Sequence, residues 1–258
     1  YWKGWEPDAE HPYYVDTFIS RSIPSWASME SAFLNGEIDI ATVPRTYIYE
    51  LLDPITHEPL PGITCYKDLP LMMGEALDFQ FEITSGSPYM PTIGGINQSD
   101  FFSNIHARKT FAYALNFTTL IEDAWLGEAE QPATWHINGL YPDYRDPSIV
   151  KYALDLDKVR YHLKNANFSG GSLWQTGFKT YLVYSSTTIQ RLMYLFIENT
   201  IEGFNSERAA EGYTNPIVID LVFLPWNDYL NAMEAGKLPI FGVDWVADFA
   251  DVDNWART

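Results

Sequence analysis

Residues 180–245 read TYLVYSSTTIQRLMYLFIENTIEGFNSERAAEGYTNPIVIDLVFLPWNDYLNAMEAGKLPIFGVDW. Thr180 to Tyr184 is a short β-branched and aromatic run, the composition a strand favours. From Thr188 to Phe204 the apolar residues Ile189, Leu192, Met193, Phe196, Ile197 and Ile201 fall on one helical stripe. Ile217 to Leu224 predicts a second strand, Asn227 to Ala235 a short helix stopped by Gly236, and Leu238 to Trp245 a third strand. The order β-α-β-α-β predicts an α/β fold with a sheet, covering helices and right-handed crossovers. Ligands of such sheets gather outside the carboxyl ends of the strands.

The segment just beyond that position is chemically unusual. Gly242 to Trp255, GVDWVADFADVDNW, holds four carboxylates, two tryptophans and a phenylalanine directly after the apolar run Leu238 to Val243. An ionised carboxylate beside indole rings is costly to bury without a cationic partner. The chain carries 16 Lys plus Arg against 34 Asp plus Glu, so internal partners are scarce. A cation on a ligand, such as a peptide amine, would fill the role. Asp248, just past the strand, is the candidate group, with Trp245 beside it. Trp226, after Leu224-Pro225, could face the same sheet edge or be buried in the core. The competing reading of the whole segment is a solvated acidic turn.

Working back toward the start, Asp155 has the position of a helix N-cap ahead of Val159, Leu163 and Ala166. Residues 128–154 form a long aromatic loop with Pro132, Pro142 and Pro147. Asn104 to Leu115 and Asn116 to Leu126 read as two helices, the second with capping-box spacing at Thr119 and Glu122 and a stop at Gly127. Ser85 to Asp100, rich in Gly, Ser, Pro and Asn, marks a boundary. Before it, Leu77 to Ile83 and Glu37 to Val43 alternate as strands do, and Tyr13 to Ile19 is strand-like. Ser25 to Asn35 reads as a helix stopped by Gly36, and Pro54 to Pro61 as an irregular loop.

At 258 residues with 47% hydrophobic residues, the chain can bury a sizeable core. A net charge of −18 argues against nucleic acid, whose phosphates need clustered Lys and Arg. It suits instead an extracellular protein or one that draws cationic ligands. No apolar run nears the roughly 20 residues that cross a bilayer. The opening Tyr1-Trp2-Lys3-Gly4-Trp5 reads as domain interior, so the chain is expected to be a piece of a longer precursor.

Catalytic and metal motifs fare poorly. Cys65 is the single cysteine and the five histidines are scattered, with no pair at metal-binding spacing. Asp251 and Asp253 begin a calcium-loop spacing, but Trp255 takes the next position and the turn glycine is missing. Gly86-Ser87-Pro88 is no nucleophile elbow. Gly94-Gly95 and Gly170-Gly171 lack the lysine of a phosphate loop. A glycoside hydrolase would need two carboxylates roughly 5 to 9.5 Å apart. Asp244 and Asp248 are a nominal pair, and nothing in the sequence forces them together.

Five pieces in order resemble the family 5 extracellular solute-binding proteins of ABC importers, the oligopeptide- and dipeptide-binding group. Tyr1-Trp2-Lys3-Gly4 is similar to that family's Tyr-Trp-x-Gly segment. Met29 to Val43, MESAFLNGEIDIATV, resembles its helix followed by Gly-Glu-Ile-Asp and a strand. Ala107 to Gly127, ARKTFAYALNFTTLIEDAWLG, resembles its paired-helix signature through Arg108, Ala112, Tyr113, Ala114, Leu120 and Ile121. Asp155 to Ala166 falls where the family has an Asp-Pro-x-Lys-Ala helix, with Leu156 in place of the proline. Asp244 to Trp255 resembles Gly-Trp-x-x-Asp-x-x-Asp-Pro-Asp-Asn-Phe.

The resemblance implies a type II periplasmic-binding-protein-like α/β fold with mixed sheets, one lobe complete and part of the second. On it, 1–84 is a partial first lobe with a hinge strand and 85–243 the second lobe. Residues 244–258 are then a hinge and ligand-site segment. It implies a non-enzymatic, cofactor-free, monomeric receptor, extracellular or periplasmic and membrane-tethered in full length. Such a receptor passes its ligand to a membrane ABC permease. Asp248 would pair with the amine of a short peptide, with Trp245 and Trp226 in the same wall. The family also holds oligosaccharide binders, which keeps a sugar as the alternative ligand. Two departures stand out: Val252 replaces proline, and Asp244 replaces a glycine. No basic residue matches a partner for the ligand carboxylate.

Overall fold

Four of the described helices begin where the sequence places a capping side chain, at Ser25, Asn104, Asn116 and Asp155. The computed structural model describes residues 17–66, 73–125, 127–131, 148–149, 151–185 and 189–246. The chain divides into two compact units at residue 67.

In the first unit, helix α1, Trp26–Leu34, starts at Ser25, whose side-chain oxygen accepts from the Ser28 amide. Gly36 follows at φ 73°, a left-handed conformation that glycine adopts without strain. Trp26 stacks on Tyr47 at 5.8 Å and donates its indole N–H to Glu50 at 2.8 Å. Glu37 to Val43 forms no strand. Alternating acid and apolar residues specify a strand only where a neighbouring strand completes the ladder, and among the described residues this segment has none. Of Tyr13 to Ile19, the described part, 17–19, is irregular, and the remainder lies outside the described residues. The loop at 54–61 is turn-rich and is closed by a bridge between Leu52 and Pro59.

The second unit holds a four-stranded sheet and two two-stranded ones among the described residues. Strand β1, Met73–Phe79, ends four residues before the expected limit, because past Gln80, whose amide donates to the Pro239 carbonyl, the chain leaves the ladder and Ile83 donates to Ser99 instead. Two short strands follow, β2 (Thr92–Ile93) and β3 (Ile96–Asn97). Helices α2 (Ile105–Ala114), α3 (Phe117–Ala124) and α4 (Leu156–Asn165) start at Asn104, Asn116 and Asp155, each accepting from amides of the first turn. For α3 the cap is therefore Asn116, bonded to the Thr119 amide at 3.1 Å, and not a Thr119–Glu122 box.

After the hairpin β4 (Asn167–Phe168) and β5 (Gly171–Ser172) and the single-turn helix α5 (Leu173–Thr176) come the elements that decide the fold. Strand β6, Phe178–Tyr184, runs parallel to β7, Ile217–Phe223, across the crossover helices α6 (Ile189–Glu202) and α7 (Asn205–Ala210). The sheet order is β3-β2-β6-β7. Helix α8, Trp226–Glu234, then leads to β8, Ile240–Val246. β8 packs beside β6 but takes its hydrogen bonds from β1, antiparallel, with Met73 opposite Val246 and Phe79 opposite Ile240. The β-α-β-α-β succession thus spans two sheets, since β1 claims the ladder positions of β8.

The core lies between the β6–β7 sheet and α2, α4 and α6. Met193, Tyr194, Ile197 and Ile201 of α6 are buried against Ala107 and Phe111 of α2, Val159 and Leu163 of α4 and Leu182 of β6. Burying each large apolar side chain stabilises by about 1.5–3 kcal/mol relative to exposure. Arg208 of α7 is buried too. Its guanidinium donates to the Trp174 carbonyl at 2.7 Å, Asn205 Oδ1 at 2.9 Å and the Asn215 carbonyl at 2.8 Å. Those acceptors tie α7 to the start of β7.

Candidate functional site

Three segments converge at the carboxyl end of β6. Proline at position 225 has no N–H to extend the β7 ladder, so the chain leaves the sheet and α8 begins at Trp226. Tyr229, one turn into α8, reaches β8. Its hydroxyl accepts from the Gly242 amide at 2.8 Å and donates to the Gly242 carbonyl at 3.0 Å. Burial pushes the phenol above its ordinary range, which keeps the proton that makes the donated bond. Gln190, 5% exposed at the start of α6, donates to the same hydroxyl at 3.2 Å and accepts from the Ser185 amide at 2.9 Å. Gly242 leaves the room this requires: a Cβ there would lie 2.6 Å from Gln190 Nε2.

Above this buried node lies a cavity of about 260 Å³. Gly242, Gln190 and Ser185 contribute its polar base. Trp125, Ile189 and Met73 supply apolar wall, and Trp226 and Asp244 are its two exposed members. Trp226 is 56% exposed and stacks on Tyr229, centroids 6.0 Å apart, so it is not a core residue. Asp244 projects from β8 with solvent on one side. The surrounding protein still strips enough water from it to push its carboxyl above the usual carboxylate range. Because the side chain keeps that contact with water, the effect is small in energy. Asp78, on the paired strand β1, is raised for the same reason.

Of the sequence-predicted residues, Trp226 lines this cavity. Trp245 lies in β8 opposite Gly74; Asp248 lies outside the described residues. Asp251 and Asp253 of the calcium-loop spacing also lie outside them. Sequence reading did not single out Gln190, Trp125 and Met73. For Gln190 a signal existed: a polar residue at the N-terminal end of an otherwise apolar stripe, just past a strand end. Among the described residues no group of three or more His, Cys, Asp or Glu side chains is placed to hold a metal ion. Nor is any helix among them long and apolar enough to cross a membrane.

A second polar pair lies away from the cavity. His106 Nδ1 and His162 Nδ1 are 2.8 Å apart, one ring donating and the other accepting. His162 stacks on Tyr113 at 5.7 Å. Burial, helped by His106, Lys109 and Lys158, lowers its pKa to about 4.

The model of the bacterial extracellular solute-binding proteins, family 5 Middle, matches residues 1–258. No curated protein matches the chain. Among solved structures, the chain is similar to the ABC transporter-associated periplasmic binding protein DppA from Helicobacter pylori, determined in complex with a peptide. That likeness has a TM-score of 0.54 at 20% identity and covers 91% of this chain and 38% of that one. An oligopeptide ABC transporter substrate-binding domain from Bacillus anthracis gives 0.57 at 14%, covering 89% and 39%. The Escherichia coli murein tripeptide binding protein MppA gives 0.52 at 16%, covering 88% and 38%. These identities speak to the fold alone, that of the type II periplasmic binding proteins. The chain spans well under half the length of the solved relatives.

Proposed function

The chain belongs to the bacterial extracellular solute-binding proteins of family 5, and from that membership we propose that it is part of a receptor that captures short peptides for an ABC importer. The observation that carries this reading is the family match along the whole chain. The likeness to peptide-binding proteins and the aromatic, acidic cavity at a strand end support it. Residues 85–243 form one lobe of the full-length receptor, 1–84 part of the other and 244–258 the segment that meets the ligand. The protein works as a monomer outside the cytoplasmic membrane, tethered to it, and hands its ligand to a permease without chemical change.

Asp248 takes the ligand's α-amino group, in a wall shared with Trp245 and Trp226. A charge-assisted hydrogen bond to an ammonium gives orientation, while an aromatic and hydrated surround tolerates varied side chains. Breaking one partner of a desolvated charge pair costs about 2–5 kcal/mol, so Asp248→Ala should weaken peptide binding about thirty-fold or more. The test has two parts. Mass spectrometry of small molecules released from the gently purified full-length protein should find short peptides. Calorimetry with such a peptide, free and N-acetylated, should show loss of affinity on acetylation and in Asp248→Ala. Unchanged affinity in that variant removes the assigned role, and release of sugars alone removes the peptide reading.

A further inference from the structure

We propose that the cavity beside α8 and β8 is a second, cation-selecting subsite, in which Asp244 holds a ligand ammonium or guanidinium against the indole of Trp226. The proposal rests on the peptide-receptor reading and names which peptides it prefers: those with a basic side chain.

Four observations carry it. The cavity, about 260 Å³, has room for a lysine or arginine side chain, and among the described residues no Lys, Arg or His lines it. Asp244 makes no hydrogen bond or ion pair among the described residues, so its acceptor sites are open to a guest. The neighbouring polar groups are already committed. Gln190 serves the Ser185 amide and the Tyr229 hydroxyl, and that hydroxyl serves both backbone groups of Gly242. That leaves the carboxylate as the cavity's charged recognition group. Finally, Trp226 lines the same space with most of its indole exposed, and Trp125 contributes a second indole. A cation seated over an indole within about 6 Å gains from the ring quadrupole as well as from the acid.

Loss of water around Asp244, which raises its carboxyl, makes a cation at that place more favourable than it would be in open solvent. The net charge of −18 steers cationic ligands in the same sense. Asp244 stands where the resembling motif carries glycine, and its role is separate from that of Asp248, four positions on.

The test is calorimetry on the full-length protein with trilysine, triarginine and tri-norleucine, the last carrying lysine's four-carbon chain without its charged end. Trilysine or triarginine should bind about tenfold or more tightly than tri-norleucine at low salt, a ratio that shrinks as salt rises. In Asp244→Asn the ratio should fall to within about twofold, and Asp244→Glu should restore most of it. Whichever basic peptide binds more tightly identifies the preferred cation. Equal affinities in the native protein, or a ratio that survives Asp244→Asn, overturn the subsite and leave the importer reading standing. If none of the three peptides binds, the peptide-receptor reading fails and the subsite fails with it.

Discussion

The Tyr229 hydroxyl is bonded to both backbone groups of one residue, accepting from the amide of Gly242 and donating to its carbonyl. A phenol thus does for β8 what a further strand would do: it satisfies the donor and the acceptor at that position from a helix. The candidate cavity is built directly on this contact.

Tyr229→Phe leaves both groups of Gly242 without that oxygen while keeping the ring and its stacking on Trp226. Leaving a buried donor or acceptor unsatisfied costs about 1–3 kcal/mol, so the variant should lose about 2–3 kcal/mol of stability. Denaturant titration should show a lower midpoint with an unchanged slope. A midpoint equal to the native protein's would mean that water replaces the hydroxyl without loss.

Gly242→Ala attacks the node from the other side. The added methyl would lie 2.6 Å from Gln190 Nε2 and 3.4 Å from Leu77 Cδ2. Gln190 ends in a flexible amide, yet moving it breaks the bonds to Ser185 and Tyr229. A loss of about 1–3 kcal/mol is expected, the range of core overpacking. Adding Gln190→Ala should cost less than its separate effect, because the methyl then has space. Strict additivity in this double-mutant cycle would refute the steric account.

Acid should weaken the protein through His162. Its folded-state pKa, about 4, lies below the ordinary 6.5, so the native state prefers the neutral ring. Above pH 6.5 neither state is protonated and the full stability is present. As pH falls from 6.5 toward 4 the unfolded chain takes up a proton that the folded chain refuses, and stability declines by about 1–3 kcal/mol. Melting curves across that window should be steeper in pH for the native protein than for His162→Gln. Parallel curves would assign the acid response elsewhere.

Local signals were the readable ones. Ser25, Asn104 and Asp155 each announce a helix because a side-chain oxygen satisfies amides within three residues, a relation contained in a few letters. The apolar stripe from Ile189 to Ile201 and the parallel strands on either side of it are legible for the same reason. Pairing was not. β1 and β8 are separated by the rest of the second unit, and nothing in Met73–Phe79 names Ile240–Val246 as its partner. The same blindness turned Glu37 to Val43 into an expected strand. At the site, Trp226 was legible as an aromatic just past a strand. The bond from Tyr229 to Gly242 joins residues from two elements whose meeting only the tertiary fold decides. Gln190 stands out in the sequence as a polar residue heading an apolar stripe, but its two partners, Ser185 and Tyr229, are set by that meeting.

The antiparallel rung between Met73 and Val246 has a topological result. Everything between these residues sets out from and comes back to one spot, like a bead carried on a doubled thread. Such a segment can in principle be cut out and closed by a short linker without unravelling its own architecture, because its two cut ends already touch. Its first and last residues would then share one antiparallel ladder.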